Sequence, residues 1–117
     1  MTNLSTTSPQ DTPTAARTVF TTRKGPVQVG QHYMDRHRQN NARILRVDRI
    51  GEPYTYLRKY RCQIDCVVVE QYNDARGRTT PDRPTEIEAT NLRTHYVLIA
   101  EPGQQVPGIV TLLGKDQ

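Results

Sequence analysis

The segment Cys62-Gln-Ile-Asp-Cys-Val-Val-Val69 alternates apolar and polar residues and decides the fold class of this chain. Its first, third, fifth and seventh residues are Cys, Ile, Cys and Val, and a period of two places all four on one face of a β-strand. The sequence therefore predicts a strand here, with this face turned toward a small core.

The same β-like character extends over a longer stretch, from Tyr54 to Tyr72. That length exceeds an ordinary strand. We therefore expect the stretch either to bend near Arg58-Lys59 or to form two strands joined by a tight turn.

Shorter strand patterns lie on both sides of this stretch, at about 27–34, 43–50, 85–89 and 96–100. Polar or turn-forming residues at 35–41 and 73–77 separate them, and 90–93 reads as one helical turn with Leu92 in the core. Gly30 indicates a bulge or a close backbone approach. Five short strands with one helical turn before the last predict a mainly β chain, as a small SH3-like five-stranded barrel; a two-sheet β-roll is the alternative.

Three segments follow from composition. Residues 1–22 are rich in Thr, Ser and Pro and predict a flexible arm, because they offer little apolar surface to offset ordering entropy. Residues 23–101 form the predicted barrel domain. Residues 102–117 form a C-terminal extension with an apolar patch at Ile109–Leu113, which Pro-Gly pairs separate from the domain.

The bulk composition limits the core and the location of the protein. Hydrophobic residues make up 34% of the chain, with one Phe and no Trp, so the core must be small and largely aliphatic. No run is apolar enough for a membrane span, and the N-terminus lacks the charge and the apolar stretch of a secretory signal. We expect no membrane partner, a location in bacterial cytoplasm, and reduced cysteines.

The sequence offers little for catalysis. It contains no Gly-rich phosphate loop, no Gly-x-Ser-x-Gly elbow and no His-Glu-x-x-His helix. On a strand, the Cα atoms of Cys62 and Cys66 would lie roughly 13 Å apart, too far for a disulfide or a shared metal ion; on a helix the spacing would become feasible. We predict a protein that is not an enzyme, with no cofactor and no metal site.

Charge is divided unevenly along the chain. The stretch Arg17 to Arg61 holds 11 of the 16 basic residues and 3 acids, while residues 62–117 hold 5 bases and 8 acids. Arg suits bidentate contact with phosphate or carboxylate, and Tyr suits stacking on bases. We name the predicted binding residues the Arg/Tyr surface: Arg36, Arg38, Arg43, Arg46, Arg49, Tyr54, Tyr56, Arg58, Lys59, Tyr60 and Arg61.

A set of short motifs spans residues 27–100. They are Val29-Gly-Gln31 with Tyr33 and Asp35, Arg43 with Leu45-Arg-Val-Asp-Arg-Ile50, Gly77-Arg-Thr-Thr80, Ile87, Leu92-Arg93 and Tyr96-Val-Leu98. In this order they resemble small uncharacterised β-domain proteins of actinobacteria and their phages. The resemblance implies a compact β domain of phage or phage-like origin and carries no catalytic residues.

Two functions from different classes remain open. The first is a non-enzymatic phage-type accessory protein that binds a protein assembly or host partner through its arm, its tail and the Arg/Tyr surface; this role would allow incorporation in a virion. The alternative is a small nucleic-acid-binding module that uses the same surface. Self-association is compatible with either, because the core is small.

Overall fold

Residues 17–115, the part of the chain that the computed structural model describes, fold into ten strands and two short helices. In chain order they are β1 (Val19–Thr22), β2 (Gly25–Gln28), β3 (His32–Asp35), β4 (Asn41–Ile50), β5 (Tyr54–Tyr56), β6 (Lys59–Arg61), β7 (Gln63–Asn73), β8 (Gly77–Thr79), β9 (Arg83–Glu88), α1 (Ala89–His95), β10 (Tyr96–Ala100) and α2 (Ile109–Leu112). The predicted mainly β class is confirmed.

The longest strands, β4 and β7, pair antiparallel at the centre of a six-stranded sheet. The sheet runs in the order β9-β7-β4-β3-β10, and β8 pairs with the far end of β7. β1–β2 and β5–β6 form separate two-stranded hairpins. No pairing between the end strands β9 and β10 closes a ring among residues 17–115, so the five-stranded barrel is not confirmed.

The main core lies on the face of the sheet that α1 covers. Cys62, Ile64, Cys66 and Val68 are all buried there, which confirms the inward series predicted from their alternation. Leu92 on α1 is fully buried in the same cluster, as expected. Neither helix within the described part of the chain is long and apolar enough to cross a membrane.

A second core lies on the opposite face, and the C-terminal segment builds it. Ile109 is fully buried against Ala42 and Ile44, and a carboxylate oxygen of Glu70 accepts a 2.9 Å hydrogen bond from its backbone N–H. β4 supplies apolar residues to both faces because Ala42 and Ile44 alternate with Leu45 and Val47, and the register shift after Val47 brings Ile50 to the main core as well. The apolar patch was expected to be detached; it is packed on the domain's own sheet.

The N-terminal part of the described chain corrects the extent of the arm. Val19–Thr22, assigned above to the flexible segment, form β1, and Phe20 is only 6% exposed. Phe20 has a partner in the main core because β1 pairs with β2. Residues 1–16 lie outside the described residues.

Two turns divide segments that the sequence treats as continuous. The strand expected at 27–34 is interrupted at Gly30, whose φ is 97° and whose N–H donates to the Val47 carbonyl at 2.8 Å. The stretch from Tyr54 breaks at Leu57-Arg58, with φ of 52° and 66°. It breaks again at Cys62, so the stretch forms three strands, β5, β6 and β7; the expected tight turn lies between the first two, and the prediction of only two strands is wrong.

Candidate functional site

Ion pairs divide the Arg/Tyr surface into neutralised and unpaired cations. Four of its arginines contact carboxylates: Arg43 with Asp35 at 3.3 Å, Arg46 with Asp48 at 2.6 Å, Arg49 with Asp65 at 3.1 Å, and Arg61 with Glu88 at 3.5 Å. The other four cations, Arg36, Arg38, Arg58 and Lys59, have no carboxylate within ion-pair distance among residues 17–115. Only the second group offers charge that no acid of the described chain offsets.

Arg43 serves the fold at the junction of β3, β4 and β10. Its guanidinium donates to the Asp35 carboxylate and to the Tyr96 hydroxyl at 2.5 Å, and lies over the Tyr96 ring at 5.8 Å from the centroid. Burial alone would lower the pKa of Arg43, but the hydrogen bond and charge of Asp35 outweigh burial and raise it. Arg43 is therefore committed to holding these strands together.

Arg46 and Arg49 belong to a part of the surface that carries the acids. Their partners Asp48 and Asp65 line a surface depression of about 510 Å³ together with Glu86. Hydrogen bonding to Arg46 lowers the pKa of Asp48. The structure thus places Arg46 and Arg49 in a region where carboxylates offset their positive charge.

Arg61 and Glu88 fix the first turn of α1. The Glu88 carboxylate accepts from the backbone N–H of Thr90 at 3.1 Å and of Asn91 at 3.4 Å, which caps the helix. Arg61 reaches the same carboxylate from β6. The buried Arg61 Nε has no hydrogen-bond partner within the described residues, so one donor of this guanidinium is unused.

A cleft of about 660 Å³ opens beside this pair, between the β1–β2 turn, β6 and the first turn of α1. We call it the hairpin cleft, and its lining is Phe20, Thr21, Thr22, Arg23, Lys24, Arg58, Lys59, Tyr60, Arg61, Thr90 and Asn91. The lining holds five cations and no acid. Among residues 17–115, only Arg61 of the five has a carboxylate partner. The hairpin cleft is therefore strongly positive.

Aromatic rings lie at the edge of the hairpin cleft. The Tyr60 ring packs against Phe20 with centroids 5.5 Å apart and planes tilted by 38°, yet Tyr60 remains 64% exposed. On the same hairpin Tyr54 and Tyr56 are exposed, and register pairs Tyr56 with Lys59. An exposed ring beside unpaired cations suits a planar, anionic ligand.

Arg93 on α1 holds the wall of the hairpin cleft. Its guanidinium donates to the Lys24 carbonyl at 2.8 Å, to the Pro26 carbonyl at 3.3 Å and to the Tyr33 hydroxyl at 3.2 Å. Gly25 permits this approach, because a Cβ at that position would lie 2.4 Å from Arg93 Nη2. The β1–β2 turn is thereby tied to the helix.

A second cleft, which we call the loop cleft, also borders α1. Its volume is about 450 Å³, and its lining is Asp35, Arg36, His37, Arg38, Arg43, Ile87, Asn91, His95 and Tyr96. Arg36 donates to the carbonyls of Thr94 at 3.2 Å and Tyr96 at 3.3 Å, which fixes the loop against the helix. The single lining acid, Asp35, is already paired with Arg43.

The structure therefore brings two groups of predicted residues to two clefts that both border α1. Arg58, Lys59, Tyr60 and Arg61 line the hairpin cleft, while Arg36 and Arg38 line the loop cleft. Sequence reasoning missed Phe20, Arg23, Lys24 and Arg93. The basic pair Arg23-Lys24, which lies three residues after Phe20 and directly before Gly25-Pro26, was the signal available for the first three.

The cysteines take the structural role. Cys62 and Cys66 are free thiols buried in the main core, and burial raises the pKa of Cys66 to about 12. No cluster of three or more His, Cys, Asp or Glu side chains with metal-site geometry occurs among residues 17–115.

No protein-family model, curated protein or solved structure matches this chain. The resemblance to actinobacterial and phage β-domain proteins therefore stays a prediction, and the function has to be argued from the two clefts.

Proposed function

We propose that this protein is a non-enzymatic module that binds nucleic acid in the hairpin cleft. The observation that carries the proposal is the lining of that cleft, which holds Arg23, Lys24, Arg58 and Lys59 without any acid. Cations gathered in a concave site release counterions when they meet phosphates, and this release supplies most of the sequence-independent affinity.

The aromatic edge supports a nucleic acid over a simple anion. Tyr60 has one side of its ring against Phe20 and is still 64% exposed, so it offers a fixed platform for a base. Stacking of one base on an aromatic side chain contributes about 1–3 kcal/mol and tolerates any sequence. We expect binding that depends on charge and stacking, with little sequence preference.

Paired variants test the proposal. Arg58→Ser and Arg49→Ser each remove one positive charge, but Arg58 lines the hairpin cleft and Arg49 is paired with Asp65. Fluorescence anisotropy with a labelled oligonucleotide at low salt should show weaker binding for Arg58→Ser and little change for Arg49→Ser. Equal losses for both would mean that only net charge matters. No binding by the native protein at low salt would end the proposal.

A second candidate is docking onto a protein assembly, the first of the two roles that the sequence left open. Leu57 at the tip of the β5–β6 hairpin is 75% exposed and its neighbour Tyr56 is 58% exposed. Apolar and aromatic side chains on a projecting turn are typical anchors of protein interfaces. The tail no longer supports this role, since Ile109 packs on the domain itself.

One variant separates the two candidates. Leu57→Ser removes the apolar tip and leaves every cation of the hairpin cleft in place. Nucleic-acid affinity should be unchanged, whereas a specific partner captured by the native protein should be lost. Retained capture by Leu57→Ser would argue against docking through the hairpin.

The finer fold assignment also stays a proposal. The five-strand path β9-β7-β4-β3-β10 has the strand number of an SH3-like barrel, and α1 links its two end strands as the single helical turn of that pattern would. Slow amide hydrogen exchange along the outer edges of both end strands would favour the closed barrel; rapid exchange there would favour the open sheet.

A further inference from the structure

The loop cleft is a second cationic depression that the proposed function does not use. Arg38 in its lining has no carboxylate within ion-pair distance among residues 17–115, and Arg36 is held there by two carbonyls of the α1–β10 connection. The loop cleft and the hairpin cleft share one lining residue, Asn91, which is exposed on α1.

We propose that the two clefts are the ends of one track for a single strand of nucleic acid that crosses α1 at Asn91. This inference rests on the proposed function and adds the form of the ligand and its path. Phosphates would contact Arg23, Lys24, Arg58 and Lys59 at one end and Arg36 and Arg38 at the other. The Asn91 amide, which carries both donors and an acceptor, lies at the crossing point.

The exposed ring of Tyr60 favours a single strand. Stacking on this ring requires an unpaired base, and Tyr60 is 64% exposed at the edge of the hairpin cleft. In a duplex the bases are already paired and stacked on one another. A single strand also bends easily, whereas duplex DNA has a persistence length of about 150 bp.

The distribution of acids supports one continuous track. In both linings the only carboxylate is Asp35, and it accepts hydrogen bonds from the Arg43 backbone N–H at 2.8 Å and side chain at 3.3 Å. The acids Asp48, Asp65 and Glu86 gather at a different depression. A phosphate backbone running from one cleft to the other thus meets no unpaired carboxylate in either lining.

A length series with a charge variant tests the track. Single strands of about four and about twelve nucleotides bracket the site sizes of comparable grooves. Arg38→Ser removes a cation of the loop cleft, and Arg76→Ser serves as the control because Arg76 is exposed in the turn before β8 and lines neither cleft. Binding is measured by anisotropy at low salt for each protein and each strand.

We expect the longer strand to bind more tightly. Arg38→Ser should weaken only the longer strand, by roughly tenfold at about 0.04 M salt, because losing one phosphate contact removes a salt slope of about 0.7. Arg76→Ser should change neither. Equal affinity for both lengths, or no effect of Arg38→Ser, would overturn the track while leaving the hairpin cleft as the binding site. A duplex that binds as well as the single strand would also overturn it. Failure of every oligonucleotide to bind would instead overturn the proposed function.

Discussion

The contact between Arg93 and Gly25 holds the β1–β2 turn in place against α1, and this turn forms one wall of the hairpin cleft. The Arg93 guanidinium crosses over Gly25 to reach the carbonyls of Lys24 and Pro26, and this leaves no space for a side chain. Gly25 also has a φ of 128°, a conformation that other residues rarely adopt. The absence of a side chain and the positive φ are thus both required at Gly25, in the turn that carries Arg23 and Lys24 of the hairpin cleft.

Gly25→Ala should therefore destabilise the protein by about 1–3 kcal/mol from the backbone alone, with a further loss from the displaced Arg93. The control is Gly77→Ala, because Gly77 also has a positive φ, 74°, but nothing lies within 4 Å of its added Cβ. Urea unfolding should show a larger loss for Gly25→Ala. Equal losses would indicate that the Arg93 contact adds no stability.

At the scale of elements, the β5–β6 hairpin contains backbone strain at its tip. Leu57 and Arg58 both have positive φ, where two-residue hairpin turns prefer Asn and Gly. The left-handed conformation costs about 1–2 kcal/mol for such residues. The hairpin keeps an exposed Leu and an unpaired Arg at this cost, which fits a role in recognition.

Arg58→Gly and Arg58→Ser separate strain from charge. Both remove the cation and should weaken oligonucleotide binding equally, but only Gly relieves the positive φ at this position. Amide hydrogen exchange over residues 54–61 should slow for Arg58→Gly and not for Arg58→Ser. Equal exchange in the two variants would show that the turn is not strained at Arg58.

The tail helix α2 is part of the fold, which gives a stability prediction. Ile109→Ala removes a fully buried side chain and should cost about 2–5 kcal/mol, whereas Gln105→Ala changes an exposed residue of the preceding loop and should cost little. The measurement is again urea unfolding. A loss for Ile109→Ala as small as that for Gln105→Ala would show that the tail does not pack on the sheet in solution.

Elements with a local signal were predictable from the sequence. Patterns within a few neighbouring residues predicted three features: the inward series from Cys62 to Val68, the burial of Leu92 and the strand at 96–100. The docking of Ile109 on Ala42 and Ile44 was not predictable, because both faces of β4 carry apolar residues and the sequence does not show which segment covers each face. A short apolar segment does not indicate what covers it.

The candidate site was predictable only in part for the same reason. The excess of cations between Arg17 and Arg61 is visible in the sequence. Which of them are neutralised depends on pairings across many residues, such as Arg49 with Asp65 and Arg61 with Glu88. The hairpin cleft likewise exists because Phe20 meets Tyr60, forty positions along the chain.

At the scale of the whole molecule, folding turns the charge division of the sequence into a division in space. Unpaired cations line the two clefts beside α1, and Asp48, Asp65 and Glu86 line a separate depression. The protein thus has a positive side without a high net charge, which is +4. Such an arrangement orients an anionic partner toward one surface.

The salt dependence of single-strand binding tests this account most directly. Six cations that line the two clefts have no carboxylate within ion-pair distance in residues 17–115: Arg23, Lys24, Arg36, Arg38, Arg58 and Lys59. If each contacts a phosphate of a strand of about twelve nucleotides, the logarithm of the association constant should fall against the logarithm of salt concentration with a slope of about −4. Binding that is absent at low salt, or a slope near zero, would contradict it.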